Sequence, residues 1–595
     1  MSVIAQDPSI RRADGSILMA RLDVPAEELS AGPIGYRVHV VDYDSSSGHY
    51  LGAHRLPECF EDEPAAWQAG RASIVDDRRF RAQNVYALVM KTLSRFEFAL
   101  GRRVGWSFGV HQLKVAPDGM LDANAFYSPR DEGLVFGYFP DAGGRPVHTC
   151  LSHDIVVHET THALLDALRE RYLDPSGPDQ AAFHEGFADV IALLSVFAQV
   201  ELVRELLRRD RSAVQGGRFI RYRDVSARAL RQSALFGLAE QMGSELQDVR
   251  GQALRRSAEL EPDPGWLKDP EFAEPHRRGE ILVAAVMNGF IEAWTSRLRA
   301  AETPGQSSHP LLRVAEEGSD IAKALIKMWI RALDYMPPVH LTFGDALSAV
   351  LTADLEAWPD DERFGLRDHL RTSFRRYGIR PASERADGIW GRAPLDLRYE
   401  RVRFESMRTD KDEVFRFLWD NRKALDIKEG AYTEVLSVRP CLRVGLDGFT
   451  LRETVAEFYQ VARLTPSELR AKGILLPPAY TALLRAEQRA GGIRRAKTLR
   501  GGAAPNEGDV PADPESDPVT PVYGGAVLIF DEYGKLKYRV HNDVFGSRQS
   551  ERLRYLFEVG QLRAGERGAQ VVGARLSALH RQRSIDARRF PQQGW

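Results

Sequence analysis

Two histidines stand four residues apart in the stretch DIVVHETTHALLDAL, residues 154–168, and a glutamate follows the first of them. In a helix, positions i and i+4 lie one above the other on the same face, so His158 and His162 can offer both imidazoles to one cation. Glu159 then flanks that cation without binding it. A carboxylate there takes a proton from a metal-bound water whose pKa zinc has lowered toward neutrality. The same five residues also fit an ordinary stretch of buried helix. A catalytic zinc site needs a third protein ligand and an open fourth position. The segment HEGFADV, residues 184–190, has helical apolar spacing and carries Glu185 and, one turn later on the same face, Asp189. Glu185 suits the third ligand. Asp189 suits the acceptor for the outer ring N–H of a ligand histidine, which sets the tautomer and raises its basicity. A solvated acidic pair is the bland alternative. The longer motif H-E-x-x-H-x-x-G-x-x-H is excluded, because Leu165 and Leu168 stand where it needs glycine and histidine.

These residues need a scaffold. At 595 residues the chain is too long for one core, and two to four domains are expected. YRVHVVDYD, residues 36–44, alternates like a strand, and FRAQNVYALVMKTLSRFEFAL, residues 80–100, repeats apolar residues at Val85, Leu88, Val89, Leu93, Phe96 and Leu100 as a helix does. Strands are predicted from about 105 to 140, followed by the two metal-binding helices. With 43% hydrophobic and 28% charged residues the composition is that of a globular protein, and a formal charge of −2 gives no field that attracts nucleic acid. No apolar run reaches the length of a membrane span. Three unclustered cysteines, Cys59, Cys150 and Cys441, suggest neither a disulfide framework nor a cysteine zinc site.

Beyond the two motifs, the chain resembles the thermolysin-like zinc peptidases of the gluzincin group over about residues 75–380. NAFYSPRDEGLVFGYF, residues 124–139, is similar to that family's N-A-F-W edge strand and the apolar run after it, while DIVVHETTHAL and HEGFADVIALL are similar to its two zinc helices. The resemblance implies that Asn124 and Ala125 bind substrate backbone by strand addition. It also puts Glu185 at the third ligand and Asp189 behind a ligand histidine. EPHRRGEILVAAVMNGF, residues 274–290, places His276 at the oxyanion-stabilising histidine. Tyr172 lies near the family's active-site tyrosine, and Arg255, or Arg256 beside it, near the arginine that holds a substrate carbonyl. The implied fold class is α+β, a mixed α/β lobe against a mostly helical lobe with Zn(2+) in the cleft between them. An additional C-terminal α+β region follows.

Departures from the family bear on function. Val196 stands where a calcium-binding carboxylate is usual, so no calcium is expected there although Asp154 keeps one ligand position. His184 replaces the asparagine that normally precedes the glutamate ligand. The start MSVIAQDPSIRRADGSI has no apolar export segment, so a cytoplasmic location is expected. The expected organisation is a strand-rich segment at 1–74, an α/β lobe at 75–175, a helical lobe at 176–385, a mixed region at 386–500, a Pro/Gly/acid-rich linker or loop at 501–521 and a hairpin with a basic tail at 522–595.

The function expected is an intracellular zinc endopeptidase acting on protein or peptide substrates, with no nucleic-acid or membrane partner. The residues after 385 are expected to control access to the cleft or recruit a regulatory protein, with Cys441 as a candidate thiolate for the open zinc position. The alternatives are a non-catalytic binding protein of the same fold, which would not require Glu159, and a gluzincin aminopeptidase, whose G-x-M-E-N signature is missing.

Overall fold

Apolar residues at 113–140 and a long helix at 78–100 build the first layer of the molecule. The structure is a computed structural model of the chain. It describes residues 1–12, 14–53, 56, 74–141, 143–173, 176–209, 214–231, 260–393, 396–444, 448–482, 519–560 and 562. Strands β1 (Val38–Val40), β2 (Leu113–Met120), β3 (Ala125–Ser128) and β4 (Gly133–Pro140) form one sheet in the order β1-β2-β4-β3, and β5 (Pro146–His148) pairs with the far end of β4. β1, β2 and β4 run parallel, whereas β3 and β5 pair antiparallel to β4. The strand-rich N-terminal segment therefore gives β1 to the sheet of the α/β lobe.

Helix α1 (Arg78–Leu100) covers this sheet. Asp77 starts it by accepting from the Arg79 N–H, and Gly101, at φ 68°, ends it in the left-handed conformation that glycine adopts without a Cβ clash. The six apolar positions that predict this helix are all buried. Beneath it lies α2 (His153–Leu168), buried along almost its whole length. The hydroxyls of Thr160 and Thr161 donate to the carbonyls of Val156 and Val157, so neither is left unsatisfied in the core.

The helical part includes α3 (Pro178–Phe197), α4 (Pro275–Ala300), α5 (Leu311–Ala332), α6 (Phe343–Ala357) and α7 (Leu366–Arg376). Pro178 and Pro275 sit at helix starts, where a missing N–H costs nothing. α3 and α4 touch at glycines. A Cβ on Gly186 would lie 3.0 Å from the Gly279 carbonyl oxygen, and one on Gly279 would lie 3.1 Å from the Gly186 nitrogen. The chain is thus of mixed α+β class. No single helix among the described residues is long and apolar enough to cross a membrane.

The expected separation of 386–500 from 522–595 is corrected by strand pairing. After α8 (Lys411–Asp420), strands β6 (Tyr432–Val444), β7 (Thr450–Leu464), β8 (Thr520–Phe530) and β9 (Leu536–Asn542) make one antiparallel sheet in chain order. The predicted hairpin, β8–β9, is half of it, and β7 pairs with β8 from Thr454↔Phe530 to Leu464↔Thr520. Of the linker expected at 501–521, residues 501–518 lie outside the described residues, as does the basic tail beyond 562, and Thr520 and Pro521 already belong to β8. Alternation gives the sheet two apolar faces. Val455, Val527, Ile529 and Tyr538 join the main core, while Ala456, Phe458, Leu528 and Phe530 pack with Val414 and Phe417 of α8.

Buried charges tie this sheet to the rest. Arg102, beyond α1, forks onto Asp334 at 2.6 and 2.7 Å. Arg443 of β6 pairs with the same Asp334 and with Glu453 of β7, and Lys537 of β9 reaches Glu453 at 2.8 Å and Glu356 of α6. Burial raises the Asp334 pKa, but Arg102 and Arg443 outweigh it and hold the carboxyl well below its usual range. A depressed carboxylate stabilises the fold above its unfolded pKa of about 4, and that contribution is lost as pH falls toward the folded value. Asp334→Asn is therefore expected to cost about 3–5 kcal/mol near neutral pH, by leaving the Arg102 guanidinium buried without its carboxylate and Arg443 with Glu453 alone. In denaturant titrations the gap from wild type should narrow below about pH 4; an equal gap at all pH values would contradict the pairing.

Candidate metal centre

α2 and α3 carry the donors. The rings of His158 and His162 lie 4.5 Å apart and nearly perpendicular, as one turn of helix dictates. From α3, Glu185 turns its Oε2 between them, 3.5 Å from the Nε2 atom of each. These separations exceed an N–H···O hydrogen bond. They match the edge of a tetrahedron with bonds of about 2.0–2.1 Å, which is about 3.3–3.4 Å. Two imidazole nitrogens and a carboxylate oxygen, all buried, form a donor set that zinc accepts. The residues present therefore fit a zinc ion.

The outer nitrogens orient the rings. His158 Nδ1 lies 2.7 Å from Asp189 Oδ1, so the carboxylate takes the Nδ1–H and leaves the Nε2 lone pair facing Glu185. His162 Nδ1 lies 2.7 Å from His184 Nδ1, with the two rings stacked at 4.8 Å. When His162 presents its Nε2 lone pair to a metal, its Nδ1–H donates and His184 Nδ1 accepts. His184, at 1% exposure, is a buried partner and not a surface residue.

Glu159 is fully buried, and its Oε2 accepts the backbone N–H of Tyr127 at 2.8 Å. β3 ends the sheet on this side, so the backbone of the edge strand abuts the candidate base. Asn124 and Ala125 open that strand. The Asn124 carbonyl accepts from Gly137 N–H at 2.9 Å, and Ala125 pairs with Phe136. Farther along α2, Asp166 accepts from the Tyr127 hydroxyl at 2.8 Å, and burial pushes the carboxyl pKa up.

His276 enters from the second position of α4. Its Nε2 is 3.6 Å from Glu185 Oε2 and its Nδ1 is 2.6 Å from Glu274 Oε1. The other oxygen of Glu274 caps α4 by accepting the Arg277 N–H at 2.9 Å. Glu274 thus fixes both the helix start and the imidazole. It escapes sequence reading because glutamate is not a usual N-cap; its one signal is a carboxylate directly before the Pro-His pair. The Gly186–Gly279 approach lets α4 come close enough to α3 for His276 to reach Glu185.

Other expected site residues fall elsewhere. Tyr172 is a correction: it is 2% exposed, packed edge-on against Phe183, and its hydroxyl donates to the Pro337 carbonyl at 2.8 Å. The 3-10 turn Glu170–Leu173 that follows α2 folds the Tyr172 ring into the core, so its hydroxyl is committed to backbone. Cys441 is a second correction. β6 crosses the end of α1, and there Arg102 Nη1 approaches the Cys441 sulfur at 3.1 Å, outside the ligand cluster. Arg255 and Arg256 lie outside the described residues. Where no calcium is expected, Val196 is buried in the core, Asp154 accepts from the Ser152 hydroxyl, and His153 Nε2 meets Ser195 Oγ at 3.1 Å. Comparison with protein-family models and with curated proteins finds no match to the chain.

Replacement of His158, His162 or Glu185 by alanine is expected to remove the one equivalent of zinc bound at this centre. Asp189→Ala should keep the ligands and weaken affinity by about 10- to 100-fold. Elemental analysis and competition with a chromogenic chelator measure both; full zinc in all three ligand variants would refute the centre.

Proposed function

We propose that the chain is a zinc-dependent endopeptidase of thermolysin-like two-lobe architecture, cleaving protein or peptide substrates with Glu159 as general base. One observation carries this reading. A buried carboxylate that is not part of the ligand cluster is held by a strand-edge N–H beside three convergent metal donors. A purely structural zinc site has no use for such an acid, and structural sites close all four positions with protein ligands. The scarcity of cysteine, three in 595 residues, fits work inside the cell.

His158, His162 and Glu185 would hold the zinc, which supplies Lewis acidity and lowers the pKa of a bound water. Glu159 accepts the proton of the attacking water and delivers it to the leaving amine nitrogen, and the Tyr127 N–H keeps its carboxylate in place between those steps. His276 offers its Nε2 side to the oxyanion of the tetrahedral intermediate. The Glu274 carboxylate accepts the Nδ1–H and fixes the ring, so an Nε2–H directed at the oxyanion requires both ring nitrogens to carry a proton. An extended substrate lies along β3 as an added strand, so backbone hydrogen bonds supply affinity with little sequence selectivity. Asn124 and Ala125 stand at the start of that strand, and Asp189 acts through His158.

Glu159→Gln preserves shape and removes basicity. It should retain zinc while peptide turnover falls by about 10²–10⁴, the usual worth of general-base help. The comparison needs a quenched-fluorescence peptide and metal analysis on the same preparations. Turnover unchanged by the substitution would overturn the mechanism, and a zinc-loaded wild type inert toward a broad peptide mixture would favour the binding-protein alternative.

A further inference from the structure

Away from α2 and α3, three different metal-binding side chains converge. Asp118 comes from β2, His148 from the end of β5 and Cys150 from the 3-10 turn Thr149–Leu151 that leads into α2. One ligand atom from each lies within 4.8 Å of the others, the same criterion that the His158, His162 and Glu185 donors meet. We propose that Asp118, His148 and Cys150 form a second metal site, for a borderline or soft cation such as zinc.

Each donor is already oriented. Arg81 places both Nε and Nη2 on one oxygen of Asp118, at 3.1 and 2.9 Å, and its Nη1 on the Val75 carbonyl at 2.9 Å. The guanidinium is therefore pinned to Oδ2, and Oδ1 faces His148 Nδ1 at 2.8 Å. His148 stacks on Tyr138 with ring centres 5.4 Å apart, which fixes its plane. Cys150 is a free, fully buried thiol whose carbonyl accepts from Asn84 Nδ2 at 2.9 Å, and Asn84 in turn accepts from the Ile4 N–H. Such supporting contacts hold ligands in register before a metal arrives.

The chemistry selects the cation. Thiolate sulfur disfavours calcium and magnesium and favours zinc or a similar ion, with a water completing four-coordination. On uptake the Cys150 S–H proton leaves to solvent and the S–metal bond forms, with no change of oxidation state. Zinc bonds hold nitrogen and oxygen ligands about 3.3 Å apart, so binding opens the Asp118–His148 hydrogen bond by about half an ångström. Asp118 then bridges the metal and Arg81. This site does not depend on peptidase activity, and it is invisible in the cysteine pattern, since its carboxylate lies 32 residues before its cysteine.

Cobalt distinguishes the two centres, because only this one contains sulfur. The full chain, stripped with chelator and titrated with Co²⁺, should take up two equivalents and develop a near-ultraviolet sulfur-to-cobalt charge-transfer band that Zn²⁺ displaces. Cys150→Ser should lose that band and one equivalent. The double variant His158→Ala/His162→Ala should keep the band and lose the other equivalent, and Cys441→Ala and Cys59→Ala should each keep both. His148→Ala serves if Cys150→Ser does not fold, with loss of the band expected. A single equivalent without the band in wild type, or a band that survives Cys150→Ser, overturns the proposal.

Discussion

Three donor atoms converging in one buried space, the carboxylate oxygen about a tetrahedral edge from each imidazole nitrogen, are the constraint on which the rest of the architecture turns. Glu185, 3% exposed, holds one carboxylate oxygen 3.5 Å from the Nε2 of each histidine, the separation that two ligands of one zinc ion keep. The surrounding contacts all serve to keep that arrangement: Asp189 behind His158, His184 behind His162, and two glycines that bring α4 down onto α3. Glu274 and the Tyr127 N–H then aim the two groups that would act on a substrate.

The C-terminal sheet belongs to the same construction. Arg169, at the end of α2, pairs with buried Glu457 of β7 at 3.0 Å, and Arg439 of β6 donates to the Leu168 carbonyl at 3.4 Å. Arg171 lies over the rings of Tyr459 and Tyr523. The helix that carries both histidines is therefore gripped at its C-terminal end by strands nearly 300 residues later in the chain. The region expected to control access to the cleft or recruit a partner is thus docked on the body through the end of α2. One face of the sheet is main core, and the ion pairs through Asp334 and Glu453 fix its position on the body. Such pairs add little net stability against an apolar alternative, but a wrong docking position would leave several charges unpaired.

Local patterns were legible in the sequence, and long-range ones were not. The 3.6-residue spacing of Val85 to Leu100 located α1, the four-residue spacing of the histidines located the candidate centre, and the β8–β9 hairpin followed from its alternating residues. His276 and Asp189 came into view through spacing carried from the resemblance. Glu274 did not, because its role depends on a cap that statistics disfavour. Tyr172 was misread because one residue of register decides whether a side chain after a helix enters a cleft or the core. The joining of β7 to β8 was hidden because more than fifty residues separate their ends, and pairing across such a gap leaves no local periodicity. The cluster around Cys150 was hidden for the same reason.

The most direct test of the central claim is hydrolysis in isotopic water. Zinc-loaded protein is incubated with a defined mixture of peptides in H₂¹⁸O, and products are read by mass spectrometry before and after chelation and zinc restoration. Internal cleavage that places one ¹⁸O in each new carboxylate, stops on chelation and returns with zinc is the predicted result. Absence of cleavage by protein of verified zinc content, or cleavage indifferent to chelation, would contradict it.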